Sequence, residues 1–119
     1  MYDHIGLRVK DLKAAARLYT AVLAPLGHVP GSSGEGYAGF GPKGAPALWL
    51  HAHEGKGTGV HVCFSAKTRA QVDEFHAAGL KAGAKDNGKP GLRTDYSPTY
   101  YGAFLIDLDG NNIEAVCFK

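Results

Sequence analysis

Cysteine is scarce in this chain of 119 residues: Cys63 and Cys117 lie far apart and form no C-x-x-C pair. With no dithiol motif and no disulfide framework, two buried free thiols in a reducing cytoplasm are expected. A dominant charge is also lacking. Thirteen Lys and Arg against 11 Asp and Glu leave a net charge of +2, with the signs interspersed, which is too mild to argue for a nucleic-acid partner. The one local run, Lys81, Lys85, Lys89 and Arg93, reads as solvated surface. No apolar run reaches the length of a membrane span, and no basic stretch followed by an apolar one opens the chain. The protein is therefore expected in the cytoplasm, without a membrane or nucleic-acid partner.

Several catalytic motifs are absent too. There is no G-x-S-x-G, and Cys63 shares a strand face with His61 without being aimed at it. A literal G-x-G-x-x-G runs from Gly39 to Gly44, but it holds Pro42 and leads into ALWLHAH, a strand pattern. A dinucleotide site needs a helix N-terminus there, so this segment reads as a hairpin turn.

Glycine is plentiful, with 17 residues, which points to many tight turns and short strands. A composition 45% hydrophobic and 20% charged suits one soluble globular domain over residues 1–119. Within it lies a repeat. HIGLRVKDLKAAARLYTAVLA, from His4, aligns without gaps on HVCFSAKTRAQVDEFHAAGLK, from His61, at an offset of 57 residues. Each copy reads as a strand bearing His on one face, then a cap and an amphipathic helix. Asp11 caps a helix whose stripe is Leu12, Ala15, Leu18, Tyr19, Val22 and Leu23. Thr68 and Gln71 make a T-x-x-Q box ahead of Val72, Phe75 and Leu80.

Period-two patterns follow each helix: EGYAGFG and APALWLHAH in the first half, YYGAFLID and NNIEAVCF in the second, with Asp109-Gly110 in a hairpin. A third strand per half is placed near residues 27–30 or 57–60. Residues 1–56 and 57–119 thus form two βαββ(β) units, an α+β protein with internal duplication.

Strand parity places the candidate site. If Ile5, Leu7 and Val9, like Val62 and Phe64, cover the helices, His4 and His61 face the opposite, concave side. On the last strand Glu114 shares that side with Asn112, Val116 and Phe118. Two imidazoles and a carboxylate form a common ligand set for a divalent cation. The competing reading makes them two ordinary half-buried histidines and a surface carboxylate. Trp49, Tyr100 and Tyr101 could form an aromatic wall, with core packing as the alternative, and Cys63 could line the cavity. The Gly- and Pro-rich stretch from Asn87 to Gly102 reads as a loop over the site, with Arg93 or Tyr100 reaching inward.

HIGLRV followed by D-L-x-x-A, the mid-chain HVCF and the terminal DLDGNNIEAV resemble the vicinal oxygen chelate superfamily, which includes glyoxalase I, fosfomycin-resistance enzymes, extradiol dioxygenases and bleomycin-resistance proteins. The resemblance covers nearly the whole chain. It implies two tandem βαβββ modules related by pseudo-twofold symmetry, forming a cupped mixed sheet around a divalent metal ion (Zn, Ni, Mn or Fe). The ligands would carry over to His4, His61 and Glu114. The fourth ligand of glyoxalase I, a Glu, would fall on Trp49, which cannot bind a metal; His51, two residues on, is a candidate substitute. The resemblance further implies a homodimer and Lewis-acid chemistry on a small substrate with two neighbouring oxygens, by a lyase, isomerase, transferase or dioxygenase route. Its alternative is a non-catalytic protein that binds a small molecule or antibiotic, as bleomycin-resistance proteins do.

Overall fold

Asp11 and Thr68, 57 residues apart, each cap a helix with a side-chain oxygen: Asp11 accepts from the Ala14 amide and Thr68 from the Gln71 amide, both at 3.1 Å. Gln71 closes its box on the Lys67 amide (2.7 Å), one residue earlier than the usual partner. A computed structural model of the chain describes residues 1–55 and 59–119. In it the helices α1 (Leu12–Leu23) and α2 (Arg69–Lys81) begin at repeat-equivalent positions. The expected module boundary between 56 and 57 lies outside the described residues.

Each helix covers one face of a four-stranded mixed sheet. The first sheet contains β1 (Ile5–Val9), β2 (Val29–Gly34), β3 (Tyr37–Gly41) and β4 (Leu48–Ala52), in the order β1-β4-β3-β2. The second contains β5 (His61–Ser65), β6 (Lys85–Leu92), β7 (Tyr101–Ile106) and β8 (Asn112–Cys117), in the order β5-β8-β7-β6. In both, the His-bearing strand pairs parallel with the last strand of its module and leaves its other edge unpaired. The result is an α+β fold of two similar βαβββ modules. No helix among the described residues is long and apolar enough to cross a membrane.

The core lies between sheets and helices. Leu18, Tyr19, Val22 and Leu23 of α1 are buried with Leu7, Val9, Phe40 and Leu50, each large side chain contributing roughly 1.5–3 kcal/mol. In α2 the buried stripe is Val72, Phe75, His76 and Gly79. Leu80, expected there, is exposed; a Cβ on Gly79 would come 2.2 Å from Leu105, so the helix seats its glycine where the sheet comes closest. Ile5 is likewise 41% exposed, and it lines a cleft with Leu23, Val62 and Phe64.

Two further expectations are corrected. The third strand of the second module is β6, so the stretch from 87 to 92 is strand rather than loop; of the segment expected near 57–60, residues 57 and 58 lie outside the described residues. It is an edge strand, where Pro90 and its glycines cost least. Of the two thiols, both free, only Cys117 is buried; Cys63 is exposed.

The DLDGNN turn joins the modules. Buried Asp107 accepts hydrogen bonds from the Asp109 and Asn111 amides (2.9 and 2.8 Å), the Asn111 side chain (3.0 Å) and, from α1, the Tyr19 hydroxyl (2.6 Å). Asn111 Oδ1 accepts from the Val60 amide, just before β5, and Asp109 accepts from the Lys10 amide. Burial and Asp107 push the Tyr19 hydroxyl pKa far above the tyrosine range.

Candidate functional site

Parity along β5 and β8 puts His61, Cys63, Asn112 and Glu114 on the face turned away from α2. Cys63 pairs with Glu114, and His61 with Asn112. Across β8, Glu114 pairs with Phe104 of β7. Glu114 is only 2% exposed, yet both of its oxygens have partners. Oε2 lies 2.9 Å from Nε2 of His61, whose side chain is 52% exposed, and Oε1 accepts from the Tyr100 hydroxyl. Tyr100 is held edge-on against Tyr96 and Phe118 at ring separations of 5.0 and 5.3 Å. Burial and the Glu114 carboxyl raise the Tyr100 pKa well above the usual range. The Cys63 sulfur, partly desolvated although the residue is exposed, is pushed up to about 12, with the charge and hydrogen bond of Glu114 adding to desolvation.

The corresponding face of the first module is different. Gly6 is the repeat equivalent of Cys63, and its strand partner is Trp49, so Trp49 and Glu114 hold the same place. The indole lies across Gly39, where a Cβ would come 2.6 Å from the ring, and Tyr37 packs beside it at 6.3 Å. His51 is on this face, its ring over Gly6, and is exposed. His4 stands at the start of β1 with its side chain 59% exposed and Nδ1 2.7 Å from Asp3.

One chain therefore brings together His61, Glu114, Cys63 and Tyr100, while His4, His51 and Trp49 lie on the other module. Among the described residues no three His, Cys, Asp or Glu side chains are grouped to hold a metal ion. The aromatic wall is not a single structure either: Trp49 and Tyr100 belong to different modules. Tyr101 turns to the helix side, where its hydroxyl donates to Asp73 (2.6 Å) and Arg69 stacks on its ring at 5.0 Å. It pairs with buried Cys117, and that parity excludes it from the site.

The His61–Glu114 pair fits a divalent cation. Two bonds of about 2.1 Å meeting at a right angle span about 3.0 Å, close to the observed N···O separation, which suits a hydrogen bond equally well. Imidazole nitrogen and carboxylate oxygen are donors that first-row divalent metals accept. His61 opens to solvent beside the buried carboxylate, leaving room for further ligands.

Sequence reasoning missed Phe104, Asn112 as a wall residue, and Asn87. Phe104 lies beside His61 at a ring separation of 6.4 Å. Its alternation in YYGAFLID carried the signal, since it shares parity with the glycine two residues before it rather than with the core positions.

A sequence profile for the Glyoxalase/Bleomycin resistance protein/Dioxygenase superfamily matches residues 2–115. A crystal structure of a glyoxalase/bleomycin resistance protein from Albidiferax ferrireducens T118 is 30% identical, with TM-score 0.84, covering 98% of this chain and 97% of that one. A glyoxalase/bleomycin resistance protein/dioxygenase family enzyme from Burkholderia phytofirmans PsJN shares the fold at 17% identity, with TM-score 0.78 and 98% of each chain covered. A domain described as glyoxylase/bleomycin resistance protein/dioxygenase, from Frankia sp. EAN1pec, does so at 23% identity, TM-score 0.71, covering 98% and 95%. A search among curated proteins returns no match.

Proposed function

The chain belongs to the glyoxalase/bleomycin resistance protein/dioxygenase superfamily, and from that premise we propose that it is a metal-dependent enzyme acting on a small, oxygen-bearing substrate. The observation that carries this reading is the buried Glu114 carboxyl facing a half-exposed His61 at 2.9 Å. An isolated buried acid is costly, and a cation shared with the imidazole offsets that cost. His61 and Glu114 would hold the ion, with His4 of the partner subunit as the third ligand in a homodimer. The unpaired edges of β1 and β5, the two His-bearing strands, support such an assembly. A divalent cation bound there supplies Lewis-acid polarisation of two neighbouring substrate oxygens.

The chain's own residues prepare the site. Tyr100 fixes the Glu114 carboxyl by holding Oε1, so that Oε2 is presented to His61. Cys63, paired with Glu114 across β5 and β8, lines the wall beside the two ligands. Metal analysis of protein purified without chelators tests the reading: near-stoichiometric metal, lost in His61→Ala, is expected. Absence of metal together with tight binding of an aromatic compound that quenches Trp49 would overturn it. That outcome is the second reading, a non-catalytic small-molecule binder, and Trp49 packed at a tilt beside Tyr37 in place of a fourth ligand is the observation favouring it.

A further inference from the structure

Arg93, just beyond β6, lies along the same concave face as Glu114. Two glycines clear its path: a Cβ at Gly88 would come 3.2 Å from one terminal guanidinium nitrogen, and one at Gly91 would come 3.2 Å from the other. The guanidinium carbon sits 5.5 Å from the Phe104 ring centre, and Nη2 donates to the Lys89 carbonyl at 2.6 Å. No carboxylate pairs with Arg93 among the described residues. Of the acids nearby, Asp86 is held by His76 and the Gly88 amide and Asp73 by Tyr101, and Asp95 makes no ion pair with Arg93. A cation on a five-donor fork is thus left with one protein acceptor.

A cavity of about 310 Å³ opens in front of it, walled by Asn87, Tyr96, Phe104 and Asn112. Asn87 donates to Asn112 across the cavity at 3.3 Å. Asn112 pairs with His61 and Phe104 pairs with Glu114, so this cavity and the His61–Glu114 pair occupy adjoining positions of one sheet. The Phe104 ring is their shared floor, 6.4 Å from the His61 ring and 5.5 Å from the guanidinium.

We propose that this cavity is an oxyanion subsite, in which Arg93 takes a carboxylate, phosphonate or phosphate group of the substrate. A planar fork of N–H donors matches such a group bidentately, and Phe104 limits the competition from water. The substrate class is a small organic anion: the charged group at Arg93, a short apolar middle over Phe104, and two neighbouring oxygens at His61 and Glu114. Only that last placement rests on the proposed function.

The test uses chelator-treated, full-length protein and inorganic phosphate, followed by amide chemical shifts in two-dimensional NMR. Saturable shifts centred on Gly88, Gly91, Arg93, Phe104 and Asn112 are expected. The affinity should fall with added NaCl and by at least about tenfold in Arg93→Gln. Shifts centred on Lys10 and Lys13 at the start of α1, or unchanged affinity in Arg93→Gln, would overturn the subsite. If Arg93→Gln fails to fold, the wild-type shift map decides alone. Metal content is measured in parallel on untreated protein. Phosphate bound at Arg93 in a protein that takes no metal sinks the metal reading and keeps the subsite. Stoichiometric metal with no phosphate response does the reverse.

Discussion

At the position paired with the middle of the His-bearing strand, the first module carries Trp49 and the second carries Glu114. The helices around them start at equivalent residues, and the strands follow the same order. The inward, helix-facing side of each module has kept its apolar pattern, while the outward side has diverged. One side is aromatic and glycine-floored, with Trp49 over Gly39; the other is polar, with Glu114 bonded to His61 and Tyr100, and Arg93 beside Phe104. The core face is constrained by packing, where a lost methylene is felt. The opposite face is free to change its chemistry as long as strand pairing survives.

The largest expected effect comes from cutting the tie between the modules. Asp107→Ala strands the Tyr19 hydroxyl and the Asn111 amide in the interior, and a loss of about 3–5 kcal/mol is expected from chemical denaturation. Tyr19→Phe removes both the donor and the need for it, at about 1 kcal/mol. Equal losses from the two variants would count against Asp107 as the joint.

Next in size is the metal. His4→Ala and Glu114→Gln should each lower metal affinity at least about 100-fold, as removal of a ligand exceeds the 10–100-fold typical of its supporting partners. In the proposed homodimer Glu114 and His4 of one site come from different chains, so an equal mixture of the two variants, unfolded and refolded together, should regain about a quarter of the wild-type sites. No recovery would place the whole site in one chain, and about half of the wild-type sites, with His4→Ala alone binding normally, would remove His4 from it. Tyr100→Phe frees Glu114 Oε1 without touching a ligand, and a loss of about 10–100-fold in metal affinity is expected, read by competition with a chromogenic chelator.

Cys63 sharpens the contrast by kinetics. With its thiol at about 12, the thiolate is rare at pH 8. Alkylation in chelator-treated protein should run on the order of 50-fold slower than for an ordinary exposed thiol, and its rate should climb with pH up to about 12. Glu114→Gln removes the adjacent charge and should speed it; an unchanged rate would mean that Glu114 does not govern the thiol. Smallest of all, Trp49→Phe should leave metal stoichiometry unchanged, since the indole offers no ligand. A marked loss would tie the first module's face to the metal after all.

Much of this was legible in the primary structure because repetition and periodicity are local. The 57-residue offset located both caps and both helices, and strand parity put His61, Cys63 and Glu114 on one face. Three things resisted. β6 hides in a Gly- and Pro-rich stretch, since an edge strand tolerates residues that a central one rejects. His4 shares a face with His61 only in the pattern, because parity says nothing about how two modules are set beside each other. The pattern leaves Tyr101 open between an aromatic wall and the core; it packs against the core, one residue from Tyr100, a step that in a strand reverses the side chain.

The Tyr19–Asp107 bond also separates the unit of inheritance from the unit of folding. The two stretches that align at an offset of 57 residues share this buried contact: a first half alone would lack the acceptor of its Tyr19 hydroxyl, and a second half alone would lack one donor to Asp107. A cut placed where the alignment suggests one therefore divides a buried polar pair, and either fragment is expected to be less stable than its share of the whole chain.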